Sequence, residues 1–333
     1  MSEARFELTA SPRLKAPDST ARIMWTVSAT LAPATLAAAW LFGAGVLLVV
    51  AAAILGAAAT ERLFEGAGTL SDGSAVLTGL LLGLTLPPGF PLWMSALGGA
   101  AAIGFGKAIF GGLGQNVFNP ALLGRAFLQA AFPTAITTWA PVGPGGDAVR
   151  GDLFAFPFTT PEAADAVTGA TPLGLMKFEG VATDAVPLLL GNTTGSLGET
   201  SAVLILAGGA YLAVKRYLDW RIPAAIFLTV ALVSGALHAI DPGSPGPLFS
   251  LLSGGLVLGA VYMATDPVTS PVTKPGAWIF GIGIGLLVVL IRVWGGLPEG
   301  VMYAILFMNA LVPFIGRATQ PRVFGTAGEE GAA

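Results

Sequence analysis

Ten apolar stretches, separated by short polar joints and one long loop, run through the chain: residues 23–41, 45–60, 74–86, 93–110 and 121–132, then 202–217, 223–240, 248–264, 278–293 and 301–315. In hydrocarbon no water satisfies a bare backbone N–H or C=O, so a spanning segment must close its own hydrogen bonds as a helix or join a closed barrel. Apolar runs of this length predict helices. Composition agrees: 54% of the 333 residues are hydrophobic, 11% are charged, and mean hydropathy is +0.77. Such a balance belongs to polytopic membrane proteins. The expected fold class is an all-α polytopic membrane protein of about ten transmembrane helices.

Charge orients the spans. With the amino terminus inside, one side holds Arg5, Arg13, Lys15, Arg22, Arg62, Lys107, Lys215, Arg216, Arg221, Lys274, Arg317 and Arg322, and the other holds Arg150, Lys177 and Arg292. That asymmetry is the positive-inside bias, with both termini cytoplasmic. Residues 1–22 are polar and have no apolar core of their own, so they read as a cytoplasmic lead-in rather than a signal peptide. The loop 133–200 then faces outward. Its acidic residues Asp147, Asp152, Glu162, Asp165, Glu179, Asp184 and Glu199 outnumber Arg150 and Lys177.

The chain also repeats itself. Gly79-Leu-Leu-Leu-Gly83 runs into Pro87-Pro88, and Gly255-Leu-Val-Leu-Gly259 runs into Asp266-Pro267. Five spans per half is an odd number, so the halves enter the membrane in opposite orientations, as inverted repeats. The expected division is 1–22 as the cytoplasmic segment, 23–132 as the first repeat, 133–200 as the outer loop, 201–317 as the second repeat and 318–333 as the tail. The third span, 74–86, is too short to cross a hydrocarbon core of about 30 Å. Discontinuous helices are therefore expected at Pro87-Pro88 and at Asp266-Pro267, buried in protein or lining a cavity.

The chain has no cysteine and one histidine. It cannot ligate an iron-sulfur cluster itself, and a His-rich metal or haem site is excluded, so any electrons it carries need an organic cofactor. Asp165-Ala-Val-Thr168-Gly169-Ala170-Thr171 lies in the outer loop. It resembles the acceptor motif for covalent flavinylation, Asp-x-x-(Ser/Thr)-x-Ala-Thr, whose last threonine takes FMN through a phosphoester bond. Small neighbours, Gly169 and Ala170, leave the Thr171 hydroxyl open to a transferase. Ala166 stands where this motif often has glycine.

Elsewhere, Asn119 and Pro120 have the pattern of a helix N-cap followed by its first residue. Ser196 and Glu199 have capping-box spacing before the sixth span, and Glu199 is also a candidate for an ion or proton path. Asp266, beside the second break, is the first candidate for an ion or proton ligand. Lys107 and Arg292 are expected to snorkel to the interfaces. Arg125, deeper, is expected to pair with a carboxylate or meet a flavin phosphate, and His238 to serve packing.

Taken together, Ser71-Asp-Gly-Ser-Ala-Val-Leu-Thr-Gly79, Gly111-Gly-Leu-Gly-Gln-Asn-Val-Phe-Asn-Pro120, Gly195-Ser-Leu-Gly-Glu-Thr-Ser201, Ala264-Thr-Asp-Pro-Val-Thr269 and Pro298-Glu-Gly300 resemble the D subunit of the Rnf complex, over nearly the whole chain. The resemblance implies a membrane component of a bacterial ferredoxin:NAD+ oxidoreductase in the cytoplasmic (inner) membrane, coupling electron transfer to Na+ or H+ translocation. It implies FMN on Thr171, a riboflavin within the helices, the A, B, C, E and G subunits of the Rnf complex as partners, and a flavin transferase during maturation. Iron-sulfur and NAD chemistry would belong to those partners, and no nucleic acid is expected as one. Two alternatives stand beside it: the B subunit of the sodium-translocating NADH:quinone reductase, which usually has a longer amino-terminal extension, and a redox-silent inverted-repeat channel or transporter.

Overall fold

The computed structural model describes residues 18–66, 68–139, 153–157, 169–199 and 201–321. Among them no strand occurs. The helices are α1 (Thr20–Phe42), α2 (Gly45–Glu65), α3 (Ser74–Leu84), α4 (Leu92–Gly106), α5 (Pro120–Ala131), α6 (Pro133–Thr137), α7 (Pro172–Gly174), α8 (Ala185–Leu190), α9 (Ala202–Val214), α10 (Arg221–Ile240), α11 (Pro247–Leu252), α12 (Leu256–Leu258), α13 (Lys274–Trp294) and α14 (Val301–Thr319). Among the described residues, six helical stretches are long and apolar enough to cross a membrane, and α3 and α9 are shorter apolar helices. Large apolar side chains face outward on the long helices, among them Trp40, Leu55, Leu232 and Phe314. Such a surface is stable against lipid and not against water.

The two halves are built alike. α2 packs on α3 and α4, as α10 packs on α11 and α13; α5 leans on α4 as α14 leans on α13. Both principal crossings are made by glycine. A Cβ on Gly56 would lie 1.9 Å from Ala96 O, and one on Gly281 would lie 2.7 Å from Ile222 O. Lipid tails are as apolar as leucine, so close backbone approach replaces the hydrophobic effect as the force between helices.

Both short apolar runs end at the prolines as expected, α3 at Leu84 before the buried turn through Pro87-Pro88 and the π turn Gly259–Met263 before Asp266-Pro267, and each half has a second break upstream. In the first half a 3-10 turn, Thr69–Asp72, precedes Gly73 at φ 78°, and only then does α3 begin. In the second, α11 ends and Gly254, at φ 67°, redirects the chain into α12 and the π turn Gly259–Met263. Span 248–264 is therefore several pieces rather than one. Glycine adopts this left-handed backbone without the Cβ clash that other residues meet, and that freedom sets the corner. Pro87-Pro88 and Pro267 lie in the turns that follow the apolar run.

The halves share a core that includes Leu31, Leu82, Leu84, Ile205, Ile226, Phe280 and Ile305. A polar node also joins them. Asn119 caps α5 by accepting from Leu122 N at 3.2 Å, with Pro120 in the first helical position. Its amide nitrogen donates to Met263 O at 3.1 Å, and its backbone N–H donates to Asn309 Oδ1 at 3.2 Å. Asn309 in turn donates to Thr269 O at 2.9 Å. Asn119 is thus both the expected cap and a bolt between repeats.

Candidate functional site

Thr171 is held by its own short sequence. Its backbone is extended, at φ −71° and ψ 154°, Pro172 supplies the first helical position of α7, and Thr171 Oγ1 accepts from Gly174 N at 3.1 Å. The Thr-Pro-Leu-Gly run is therefore a capped turn, continued by the π turn Leu175–Glu179. Just upstream, Gly169 N donates to Trp139 O at 3.0 Å. A Cβ on Gly169 would meet Thr194 Oγ1 at 2.8 Å, so a larger residue here would have to displace the Thr194 side chain. Gly169 and Thr171 are half-buried and Ala170 is exposed. Asp165 and Thr168 lie outside the described residues.

Thr171 opens onto a cleft between the halves. Trp139, Tyr303, Met302, Leu173, Leu297 and Pro298 give it aromatic and apolar walls; Gln129, Thr137, Arg125, Glu199 and Glu299 give it polar ones. At its base Arg125 donates to Thr85 O at 2.7 Å and to Glu299 Oε2 at 3.0 Å. Glu299 Oε1 accepts from Gly255 N at 2.7 Å. A cation thus meets the carboxyl end of α3 and a carboxylate meets the amino end of α12, each with the sign that helix polarity favours. The carboxylate partner expected for Arg125 is Glu299.

Glu199 comes to the same cleft, and its local bonds to Ser196 close the short 3-10 turn Leu197–Glu199 rather than the start of α9. Ser196 Oγ donates to Glu199 Oε1 at 2.8 Å, while α9 takes Ser201 as its cap. Burial and then the charge of Glu299 push the Glu199 carboxyl above the ordinary glutamate value.

Asp266 lies apart from both. It borders a second cavity with Ser74, Thr78, Lys107, Asn116 and Tyr262, at the opposite end of α5. Pro120 lines that cavity and Gln129 the Thr171 cleft, about 14 Å apart along the helix axis. Asp266 Oδ1 accepts from Val268 N at 3.2 Å and Oδ2 from Thr269 Oγ1 at 3.1 Å, so its carboxylate also closes the turn.

Two expectations about charges are corrected. Lys107 does not snorkel: it is 2% exposed and its Nζ lies 2.9 Å from Glu61 Oε2 and 3.3 Å from Glu65 Oε2. Arg292 is buried too, donating to Ser250 O and to Ser253 O at the broken end of α11. Each has partners inside the protein that one sequence does not reveal as neighbours. His238 is exposed and contacts Ser244 O through Nδ1 at 2.7 Å, fastening a turn rather than packing a core. Lys177, which the sequence offers only as a loop charge, reaches four backbone carbonyls at the end of α13. Burial draws its ammonium below the ordinary lysine value.

Comparison with known proteins agrees along nearly the whole length. The chain is 44% identical to the D subunit of an ion-translocating oxidoreductase complex of Stutzerimonas stutzeri, over 91% of this chain and 92% of that one. It is 41% identical to the D subunit of a proton-translocating ferredoxin:NAD(+) oxidoreductase complex of Clostridium ljungdahlii, over 96% of each. Identity is 40% with the D subunit of a Na(+)-translocating ferredoxin:NAD(+) oxidoreductase complex of Acetobacterium woodii, over 98% and 97%. A family model described as "NQR2, RnfD, RnfE family" matches residues 7–325, and the chain belongs to that family.

Proposed function

We propose that this chain is the membrane flavoprotein subunit of an Rnf-type ferredoxin:NAD+ oxidoreductase, carrying FMN on Thr171 and coupling electron transfer to translocation of Na+ or H+. The observation that carries the reading is the placement of Thr171, which lines a cleft together with Trp139, Tyr303 and Arg125. Aromatic and apolar walls suit a flat ring, and the base holds a cation. The residues present therefore fit the group. Attachment would join Thr171 Oγ1 to the FMN phosphorus of FAD, break the pyrophosphate bond, and release AMP and the hydroxyl proton. When bound, the flavin supplies one- and two-electron redox chemistry. Thr171 would tether it and Trp139 and Tyr303 would flank it, with Gly169 packed close to Thr194.

The second cavity lies within the helices, lined by Ser74, Asn116, Tyr262 and Asp266, and a noncovalent riboflavin within the helices belongs to the same reading. Asp266 on that cavity and Glu199 on the cleft are the residues we place on the ion or proton path. The A, B, C, E and G subunits of the Rnf complex would supply the iron-sulfur and NAD chemistry, and a flavin transferase would load Thr171. In this reading the protein sits in the bacterial inner membrane with both termini cytoplasmic and the Thr171 loop outside. The relatives at 44%, 41% and 40% identity, each named as the D subunit of such a complex, favour this over the quinone reductase.

The test is in-gel ultraviolet fluorescence with intact mass, on wild type and Thr171→Ala made in cells that contain the transferase. Fluorescence and one FMN-sized increment should vanish in the variant. A dark wild-type band of unmodified mass, with the transferase shown active on another substrate, overturns the flavin reading.

A further inference from the structure

Lys177 lies in the π turn six residues beyond Thr171. Its Nζ is 2.9 Å from Arg292 O, 3.0 Å from Leu297 O and 3.3 Å from Ile291 O, and it also contacts Gly295 O. An ammonium has three N–H bonds, so four oxygens surround a donor that can serve only three at a time. A lysine that merely caps a helix meets the last carbonyls of that helix. Here Ile291 and Arg292 belong to the last turn of α13, but Gly295 and Leu297 lie beyond it and still turn inward. Converging carbonyl dipoles of this kind replace the hydration shell of a monovalent cation. Two of them carry the negative end of the α13 dipole as well.

We propose that these four carbonyls form a monovalent-cation cradle whose occupant is the Lys177 ammonium, and that this tethered cation is the positioning residue for the Thr171 segment. Thr171 caps α7, α7 runs directly into the π turn, and Val181 N closes on Leu175 O, so residues 171–181 form one short piece. Seating Lys177 on α13 seats that piece. Its other ties include Gly169 N to Trp139 O and the packing of Leu173 and Met176 with Leu188 and Phe249. Tethering matters because a free cation would leave at low concentration, whereas one on the chain is present at high effective concentration. A group of ammonium size suits these contacts, so ammonium and K+ should replace the side chain, and the larger choline should not. The consequence for the cofactor rests on the flavin reading above; the cradle itself does not.

The experiment uses the full chain in detergent, as wild type, Lys177→Ala and Lys177→Met. Amide hydrogen exchange of residues 173–181 is followed in ammonium, potassium or choline chloride at equal ionic strength. In choline, both variants should exchange this segment roughly tenfold faster than wild type, the loss of charge-assisted bonds to the cradle. Ammonium should restore most of the protection in Lys177→Ala, where the side chain has vacated the site, and less in Lys177→Met, where the stem fills it. Wild type should be indifferent to the salt. Unchanged exchange in both variants overturns the inference, and so does equal rescue by choline. If Lys177→Ala yields folded protein only when ammonium is present during purification, the cradle is supported; loss in every salt while Lys177→Met folds and ignores ammonium overturns it. Flavin fluorescence on the same samples separates the two readings. Cation rescue in a chain without flavin retains the cradle and removes the flavin, while flavin without cation rescue does the reverse.

Discussion

Glu299→Ala should be the most damaging single change at the base of the cleft that leaves Thr171 untouched. The Arg125 and Glu299 side chains are 10% and 21% exposed, and the pair is 3.0 Å apart. Removing the carboxylate leaves Arg125 with Thr85 O and deprives Gly255 N of its acceptor. Breaking a buried ion pair costs about 3–5 kcal/mol, and an orphaned buried N–H costs about 1–3 kcal/mol. Water reaches part of Glu299, and Glu199 remains nearby as a second carboxylate, so the low ends apply, about 4 kcal/mol in all. Glu299→Gln keeps an oxygen for Gly255 N and loses only the charge, so about half that cost is expected. The assay is denaturant unfolding of the purified chain in detergent, followed by tryptophan fluorescence, with Arg125→Met and the double variant closing a cycle. The double variant should be much less destabilised than the sum of the singles, because neither charge is then left alone. Additive costs, or a Glu299→Ala loss below about 1 kcal/mol, the level of an exposed pair, would refute the coupling.

Three further outcomes are expected. Gly56→Val should reduce folded yield sharply, because its Cβ would fall 1.9 Å from Ala96 O, whereas Gly104→Ala meets only Thr60 Cγ2 at 3.9 Å and should express normally; equal yields would contradict the crossing. Lys107→Met should destabilise by about 3–5 kcal/mol by leaving the Glu61 carboxylate unpaired, and restoration on also replacing Glu61 with Gln would show that charge, not packing, is the cause. Asp266→Asn should abolish ion-coupled turnover of the assembled complex while flavin stays on Thr171; coupling that survives would take Asp266 off the ion path.

The spans were legible because a bilayer imposes a single rule on every helix: consecutive apolar residues with internally closed hydrogen bonds. The Asn119-Pro120 cap was legible for a similar reason, since the bond closes within three residues. Glu199 shows where that local logic stops. Its spacing from Ser196 is that of a capping box and the pair does close locally, but on the 3-10 turn Leu197–Glu199, while α9 starts later from Ser201 and the cleft beside Glu199 is set by distant residues. The ends of the short helices at Pro87-Pro88 and Asp266-Pro267 were legible from proline, whereas the upstream corners at Gly73 and Gly254 were not, because a single glycine carries no local signal that its backbone will be left-handed.

By itself the sequence determined the membrane class, the helical spans, the plan of two similar halves and the resemblance that singles out Thr171, all of which depend on composition, local periodicity or a contiguous motif. Tertiary structure alone decided the partners of the charges. Lys107 with Glu61, Arg125 with Glu299, and Lys177 with the end of α13 join residues separated by 46, 174 and 115 positions. A single chain carries no local signal for such pairs, because what selects them is the cost of burying a charge alone, and that cost exists only once the helices have closed around it.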